Sequence, residues 1–230
     1  MISLARVLFL GAILLLQGLC LTAQPLRMRP ADRLMVEFIG DHWRNVPENM
    51  RQDIINRGFA LQVIQDMPLG RSRFSVAAGM AFYSHNLYTD HFYQLTNWGG
   101  ASASGRFDFV PISQEYTKNK LNLNYLGLPF ELRYRGPDRE RGLRLYAGIS
   151  ADYLVSANTK FRGLDHAGNR EIKVKEHLPG QINPFRIQAY ARIGIGKWAV
   201  IARLPLSKVF EDNSAREMVP VSLGLNWSLY

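Results

Sequence analysis

The chain has almost nothing with which to cross-link itself, carrying a single cysteine, Cys20, in 230 residues. One thiol excludes an internal disulfide framework, a CxxC redox pair and a cysteine-rich metal site. It also lacks any apolar run near the ~20 residues that a membrane-spanning helix requires. Acidic residues are scarce beside basic ones, 19 against 28, for a formal net charge of +9. No long stretch repeats with helical period, and there is no Gly-rich phosphate loop opening a helix, no Cys/His cluster and no nucleic-acid module. These absences exclude helical membrane proteins, nucleotide-dependent enzymes and nucleic-acid binders, and imply neither cofactor nor metal.

What is present begins with an address. Arg6 is the only charge ahead of the apolar stretch Val7 to Leu16, and a more polar segment closes at Thr22-Ala23-Gln24. That is the layout of a secretory signal peptide, expected to be cleaved after Ala23. Leu19 before Cys20 is too bulky for lipoprotein processing, so no lipid anchor is expected. Residues 24–230 then form one domain without a linker, in an exported compartment and without a thiol. A basic surface there faces anionic lipid or lipopolysaccharide.

The mature chain alternates with period two. Eight segments do so, centred on 34–39, 59–64, 74–83, 126–134, 143–153, 185–195, 198–206 and 221–229. In each, one parity is almost wholly apolar. Leu143, Leu145, Ala147, Ile149 and Ala151 oppose Arg144, Tyr146, Gly148, Ser150 and Asp152; Phe185, Ile187, Ala189 and Ala191 oppose Arg186, Gln188, Tyr190 and Arg192. The connections are sorted by length. Gly70-Arg71, Gly136 to Gly142 and Gly196-Lys197 are short, whereas 44–56, 85–119, 158–183 and 211–217 are longer. Short–long alternation is the pattern of periplasmic turns and extracellular loops. The expected fold is therefore all-β, a transmembrane antiparallel up-and-down barrel of about eight strands with both ends periplasmic. Trp43, Tyr83, Tyr88, Phe92, Tyr93 and Trp98 near strand ends are expected to contribute interfacial girdles. The last strand ends Trp227-Ser228-Leu229-Tyr230, like a barrel insertion signal, although Tyr230 is out of phase with the apolar parity. Leu121, Leu123 and Tyr125 lie on one parity and Leu126, Leu128 and Phe130 on the other, which predicts a β-bulge, with Pro129 adding a local irregularity.

Several stretches carry a resemblance: Thr22-Ala23-Gln24, Arg57-Gly58-Phe59, Pro68-Leu69-Gly70-Arg71-Ser72 running into Phe74-Ser75-Val76-Ala77-Ala78-Gly79, and above all Asn124-Tyr125-Leu126-Gly127-Leu128-Pro129-Phe130-Glu131-Leu132. With these the chain resembles the PorT-like outer-membrane β-barrel family of Gram-negative bacteria. The resemblance implies barrel fold and outer-membrane location, and it allows a role near protein secretion, to which some members are linked.

For chemistry, the polar parity supplies an expected lumen network of Glu37, Glu131, Arg133, Arg144, Asp152, Arg186, Arg192 and Arg203, with Gln62, Gln188 and Asn226. An eight-stranded barrel has room for little beyond its own side chains, so this set reads as a structural salt-bridged plug. A rim active site could draw on His85, Asp90 and His91, or on Asp165, His166 and His177, but no nucleophile stands in a recognisable context and no metal-ligand spacing appears. Gly99-Gly100-Ala101-Ser102-Ala103-Ser104-Gly105 reads as a flexible loop tip. Lys160, Arg162, Arg170, Lys173 and Lys175 are candidate lipopolysaccharide contacts. The expectation is a non-enzymatic barrel, structural or accessory to a secretion or surface assembly through its extracellular loops, with outer-membrane lipid, lipopolysaccharide and other envelope proteins as partners. A rim-site enzyme acting on lipid or peptide, and a narrow solute pore, are the alternatives.

Overall fold

The computed structural model describes residues 33–54, 56–96, 106–138, 142–165, 170–177, 181–211 and 218–229. The expected signal peptide 1–23, Trp98, the segment 99–105, His166 and Tyr230 lie outside them. The strands are β1 (Leu34–Arg44), β2 (Asn56–Pro68), β3 (Phe74–Tyr88), β4 (His91–Thr96), β5 (Arg106–Pro111), β6 (Tyr116–Arg135), β7 (Leu143–Leu164), β8 (Glu171–His177), β9 (Phe185–Ile195), β10 (Trp198–Pro205) and β11 (Val219–Ser228).

Eight of these form a closed antiparallel barrel in the order β6-β3-β2-β1-β11-β10-β9-β7, with β6 pairing back onto β7. Closure leaves none of the eight with an open edge through the belt region, which a bilayer requires of any sheet. Each alternating segment of the sequence supplies one barrel strand. The tight hairpin between β9 and β10 puts Ile195 opposite Trp198, with Gly196 at φ 61°. A two-residue turn needs this left-handed conformation at its first central position.

Around the barrel, the apolar parity points outward. Phe38, Leu61, Val63, Met80, Phe130, Leu132, Ile149, Ile187, Ile193, Val200, Leu223 and Leu225 are all exposed. A soluble monomer rarely exposes more than a few hundred Å² of contiguous apolar surface; here the belt encircles the molecule. Aromatic pairs mark its ends. Phe74 packs on Tyr134 and Trp198 on Trp227 towards the short turns, and Tyr153 on Phe185 at the opposite side. This corrects the girdle expected from sequence, since Trp43, Tyr83 and Tyr93 are buried inside the fold.

The two long connections, 85–119 and 158–183, are largely strand. β3, β6 and β7 continue past the belt, β8 takes over the β7 edge that β9 leaves at Tyr153, and β4–β5 is a separate hairpin. A bulge lies where the sequence predicts a parity change, but on the other strand. Asn124 faces Ser156 and Tyr125 faces Leu154, so the extra residue is Val155 of β7. β6 keeps one parity inward from Asn119 to Arg133. The change from Leu121, Leu123 and Tyr125 to Glu131 and Arg133 is a change in what the interior contains. Pro129 does not shift register either: Ala78 opposite Phe130 and Ala81 opposite Gly127 keep the same offset on either side of it.

The interior has two halves. Towards the long-loop end it is an apolar core that includes Trp43, Leu87, Leu121, Leu123, Tyr93, Phe109 and Phe210. The β4–β5 hairpin closes over this core, Tyr93 and Phe109 packing on Phe210 at 5.4 and 6.0 Å between ring centroids. Towards the short turns the interior is charged.

Candidate functional site

Two charged constellations stand out, one inside the barrel and one on its outer face. Inside, the buried acidic and arginine residues among the described residues are Glu37, Asp41, Glu131, Asp152, Arg133, Arg186, Arg192 and Arg203. Four carboxylates thus oppose four guanidiniums. Arg203 donates to Glu37 Oε2 through Nε and Nη2 at 3.2 and 2.6 Å. Arg192 Nη2 bridges Glu37 Oε1 at 3.1 Å and Glu131 Oε1 at 3.2 Å. Glu131 accepts also from Tyr190 at 2.9 Å and from Arg133 Nε at 2.6 Å. Gln62 and Asn226 complete the shell of Glu37 at 2.8 and 3.3 Å. Higher up, Asp152 accepts two hydrogen bonds from Arg186 and one from Gln188.

Such pairing is what burial demands, because an isolated charge in a dry interior is far costlier than a paired one. Tyrosine rings cover the guanidinium faces: Arg186 lies 4.0 Å from the Tyr125 centroid, and Arg203 lies 4.7 Å from both Tyr83 and Tyr190. Glycine makes the room, since a Cβ on Gly148 would meet the Tyr190 ring at 2.8 Å. Arg144 is half-buried at the short-turn mouth, where a pocket lined also by Tyr146, Arg192 and Lys197 offers about 10 Å³. That is barely room for one water. The sequence reading missed Asp41, Asp66 and Arg135, which pair with His85 at 2.9 Å and with each other at 2.6 Å. Asp41 was legible, since the parity of Glu37 and Ile39 runs on through it.

The described rim histidines, His85, His91 and His177, each bond a different partner. His85 lies on β3 and points into the interior, its Nδ1 on Asp41 Oδ2, while Ser222 donates to Asp41 Oδ1 at 2.5 Å. His91 is bonded to its neighbour Asp90 at 2.6 Å, and His177 to Asn158 at 3.2 Å. Asp165 sits in the β7–β8 turn, accepting from the Arg170 backbone N–H at 3.4 Å.

The outer constellation is on the strands above the belt. Cross-strand pairing orders the outward side chains into rows. Just above Phe82–Leu126–Tyr153 comes Ser84–Asn124–Ser156, and then Asn86–Asn122–Asn158. The next row is Tyr88–Lys120–Lys160–Lys175, and above it Lys118–Arg162–Lys173. The amide row is knitted by Asn122 Nδ2 to Asn86 Oδ1 at 3.1 Å, and Lys120 Nζ donates to the same oxygen at 2.6 Å. Tyr88 lies under three cations, with Lys120, Lys118 and Arg57 at 5.4, 5.8 and 5.8 Å from its centroid. Lys120 stands outside the membrane belt, and its pKa is pushed down to about 8 by burial together with Lys118, Lys160 and Arg57. Arg162 bonds Glu171 at 2.5 Å and holds that carboxyl below its usual range.

Of the expected lipopolysaccharide contacts, Lys160, Arg162, Lys173 and Lys175 fall on this face, and Arg170 is exposed just before β8. Lys118 was missed because 85–119 read as a loop, and Lys120 just past it and Arg57 at the start of β2 were not read as part of a cationic face. The alternation of Lys118, Lys120, Asn122 and Asn124 against Asn119, Leu121, Leu123 and Tyr125 was the signal available.

A closed eight-stranded barrel, apolar outside and salt-bridged inside, defines a transmembrane β-barrel. Residues 35–207 match the outer membrane protein beta-barrel domain family, and the chain belongs to it. No curated protein and no solved structure matches the chain.

Proposed function

We propose that this outer-membrane barrel is a non-enzymatic structural or accessory protein, which meets other envelope proteins through its protruding long-loop end. The observation that carries this reading is the filled lumen. Among the described residues its buried carboxylates and guanidiniums are equal in number, its upper half is apolar core, and the β4–β5 hairpin lies across the top. A packed interior of this kind supports a rigid scaffold, and working surfaces on scaffolds are carried by what projects from them. The short turns, the start of β1 and the end of β11 lie at one end, which supports a periplasmic placement for that end. The resemblance to PorT-like proteins supports a partner in secretion or surface assembly, and leader cleavage after Ala23 would deliver the chain there.

Site-specific photo-crosslinking in cells tests this. Probes at exposed Ile54 and Val174 are expected to give a discrete protein adduct, while a probe at Ile187 in the belt gives none. Absence of adducts from both protruding positions in a correctly inserted barrel would sink the proposal. Steady single-channel currents in planar bilayers would favour a pore. Loss of phenotype on replacing Asp90, His91 and His177 with alanine, with insertion and adducts intact, would favour a rim-site enzyme.

A further inference from the structure

We propose that the cationic rows above the belt are a binding site for a membrane lipid whose headgroup is a phosphorylated saccharide. The inference rests on the reading that this end lies at the outer leaflet, but not on any protein partner.

The sheet places like charges where they repel. Lys120 faces Lys160, Lys160 faces Lys175, and Arg162 faces Lys173. Residues directly opposite on adjacent strands hold their Cβ atoms about 4.5–5.5 Å apart, and like charges in such pairs are destabilising. In a solvated loop the lysines could splay apart, whereas three hydrogen-bonded strands hold these in an array. Among the described residues no carboxylate stands in either cationic row, and Glu171, two residues before Lys173, is already bonded to Arg162. The array is thus built for several anionic groups at fixed spacing. A phosphate between Lys120 and Lys160 would neutralise the repulsion between these two facing cations.

Position selects the class of anion. Lys120 is six residues above Leu126, roughly 20 Å along a strand and about 14 Å in height at the usual barrel tilt of ~45°. A glycerophospholipid headgroup layer is only about 5–8 Å deep. The cationic rows therefore sit beyond simple phospholipid phosphates, and their occupant carries its phosphates on sugars. Between belt and cations, the half-buried Ser84, Asn122, Asn124 and Ser156 present amides and hydroxyls suited to saccharide hydroxyl groups, whereas Asn86 and Asn158 are buried. Tyr88 supplies a flat ring at the edge of the array.

The test uses the full-length barrel folded in detergent, with folding checked by its heat-dependent gel mobility. The probes are purified lipopolysaccharide with its phosphorylated inner core, the same material dephosphorylated, phosphatidylglycerol vesicles, and inorganic phosphate as competitor. Each Lys near an anionic lipid surface contributes about fivefold in affinity. The variant K118Q/K120Q/K160Q/K175Q is therefore expected to bind phosphorylated lipopolysaccharide at least 100-fold more weakly. R71Q/R73Q/K197Q at the short-turn end should bind like wild type. Dephosphorylation should reduce wild-type affinity at least tenfold. If the fourfold variant fails to fold, K120Q and K175Q singly should each lose about fivefold. Unchanged affinity in whichever Lys variants fold overturns the site, as does equal loss in the short-turn control. Equal binding of dephosphorylated material or phosphatidylglycerol overturns the phosphosaccharide, and displacement by millimolar phosphate overturns the lipid. Crosslinking at Ile54 and Val174 reports separately on the protein-partner reading.

Discussion

Arg203 on β10 and Glu37 on β1 join at 2.6 Å across the interior, although β11 lies between their strands in the sheet. Glu37 also receives Arg192, so one carboxylate ties two guanidiniums. Removing it leaves both undercompensated. Glu37→Gln is expected to destabilise the barrel by about 3–5 kcal/mol, the usual cost of breaking a buried pair. Glu37→Met with Arg203→Met should cost clearly less than the sum of the single changes. Reversible urea unfolding in lipid vesicles measures both. A cost below about 1 kcal/mol for Glu37→Gln would show that the network contributes little.

Depth along the outer face sets the second prediction. Ile149 and Ile187 lie in the belt, whereas Asn124 lies one row above Leu126. Ile149→Arg or Ile187→Arg should cost about 2–4 kcal/mol and Asn124→Arg about 0–1 kcal/mol. Equal tolerance at the three positions in the same unfolding assay would misplace the belt.

The third prediction concerns the cap. Phe210 packs against Trp43, Tyr93 and Phe109. Phe210→Ala should cost about 3–5 kcal/mol locally. The expected result is faster protease cleavage within 91–111, with the heat-dependent mobility shift retained. Protease resistance equal to wild type would mean that the hairpin is held by something else.

The fourth concerns Lys120. Carbon-13 dimethylation followed by NMR titration should find Lys120 titrating near pH 8. Its folded pKa lies below its unfolded one, so its charged form opposes folding. That cost is fully present below about pH 8 and fades as pH rises towards 10.5. Bound phosphorylated lipopolysaccharide should move the titration upward. A Lys120 that titrates at its ordinary value in the free protein would contradict the burial and the crowding of charge seen around it.

Legibility differed sharply along the chain. Within the belt the period-two pattern is strong, because one parity meets lipid and the other meets polar partners, and the barrel segments were readable from it. Above the belt both parities become mixed. Leu121 and Leu123 face inward there, while Leu126 and Leu128 face lipid, so an unbroken strand looks like a change of phase. The bulge at Val155 was invisible from β6, since a register shift belongs to a pair of strands and only one of them shows the extra residue.

By itself, the sequence determined the barrel: alternation, turn glycines and the ordering of connection lengths specify strands, faces and closure through local rules. Only the tertiary structure decided which charges pair, because Glu37, Glu131, Arg192 and Arg203 come from four strands and meet through the curvature of a closed sheet. The same holds for the cationic rows. Lys120, Lys160 and Lys175 are separated by 40 and 15 positions in the chain, and it is strand register, fixed by hydrogen bonding between β6, β7 and β8, that sets them side by side.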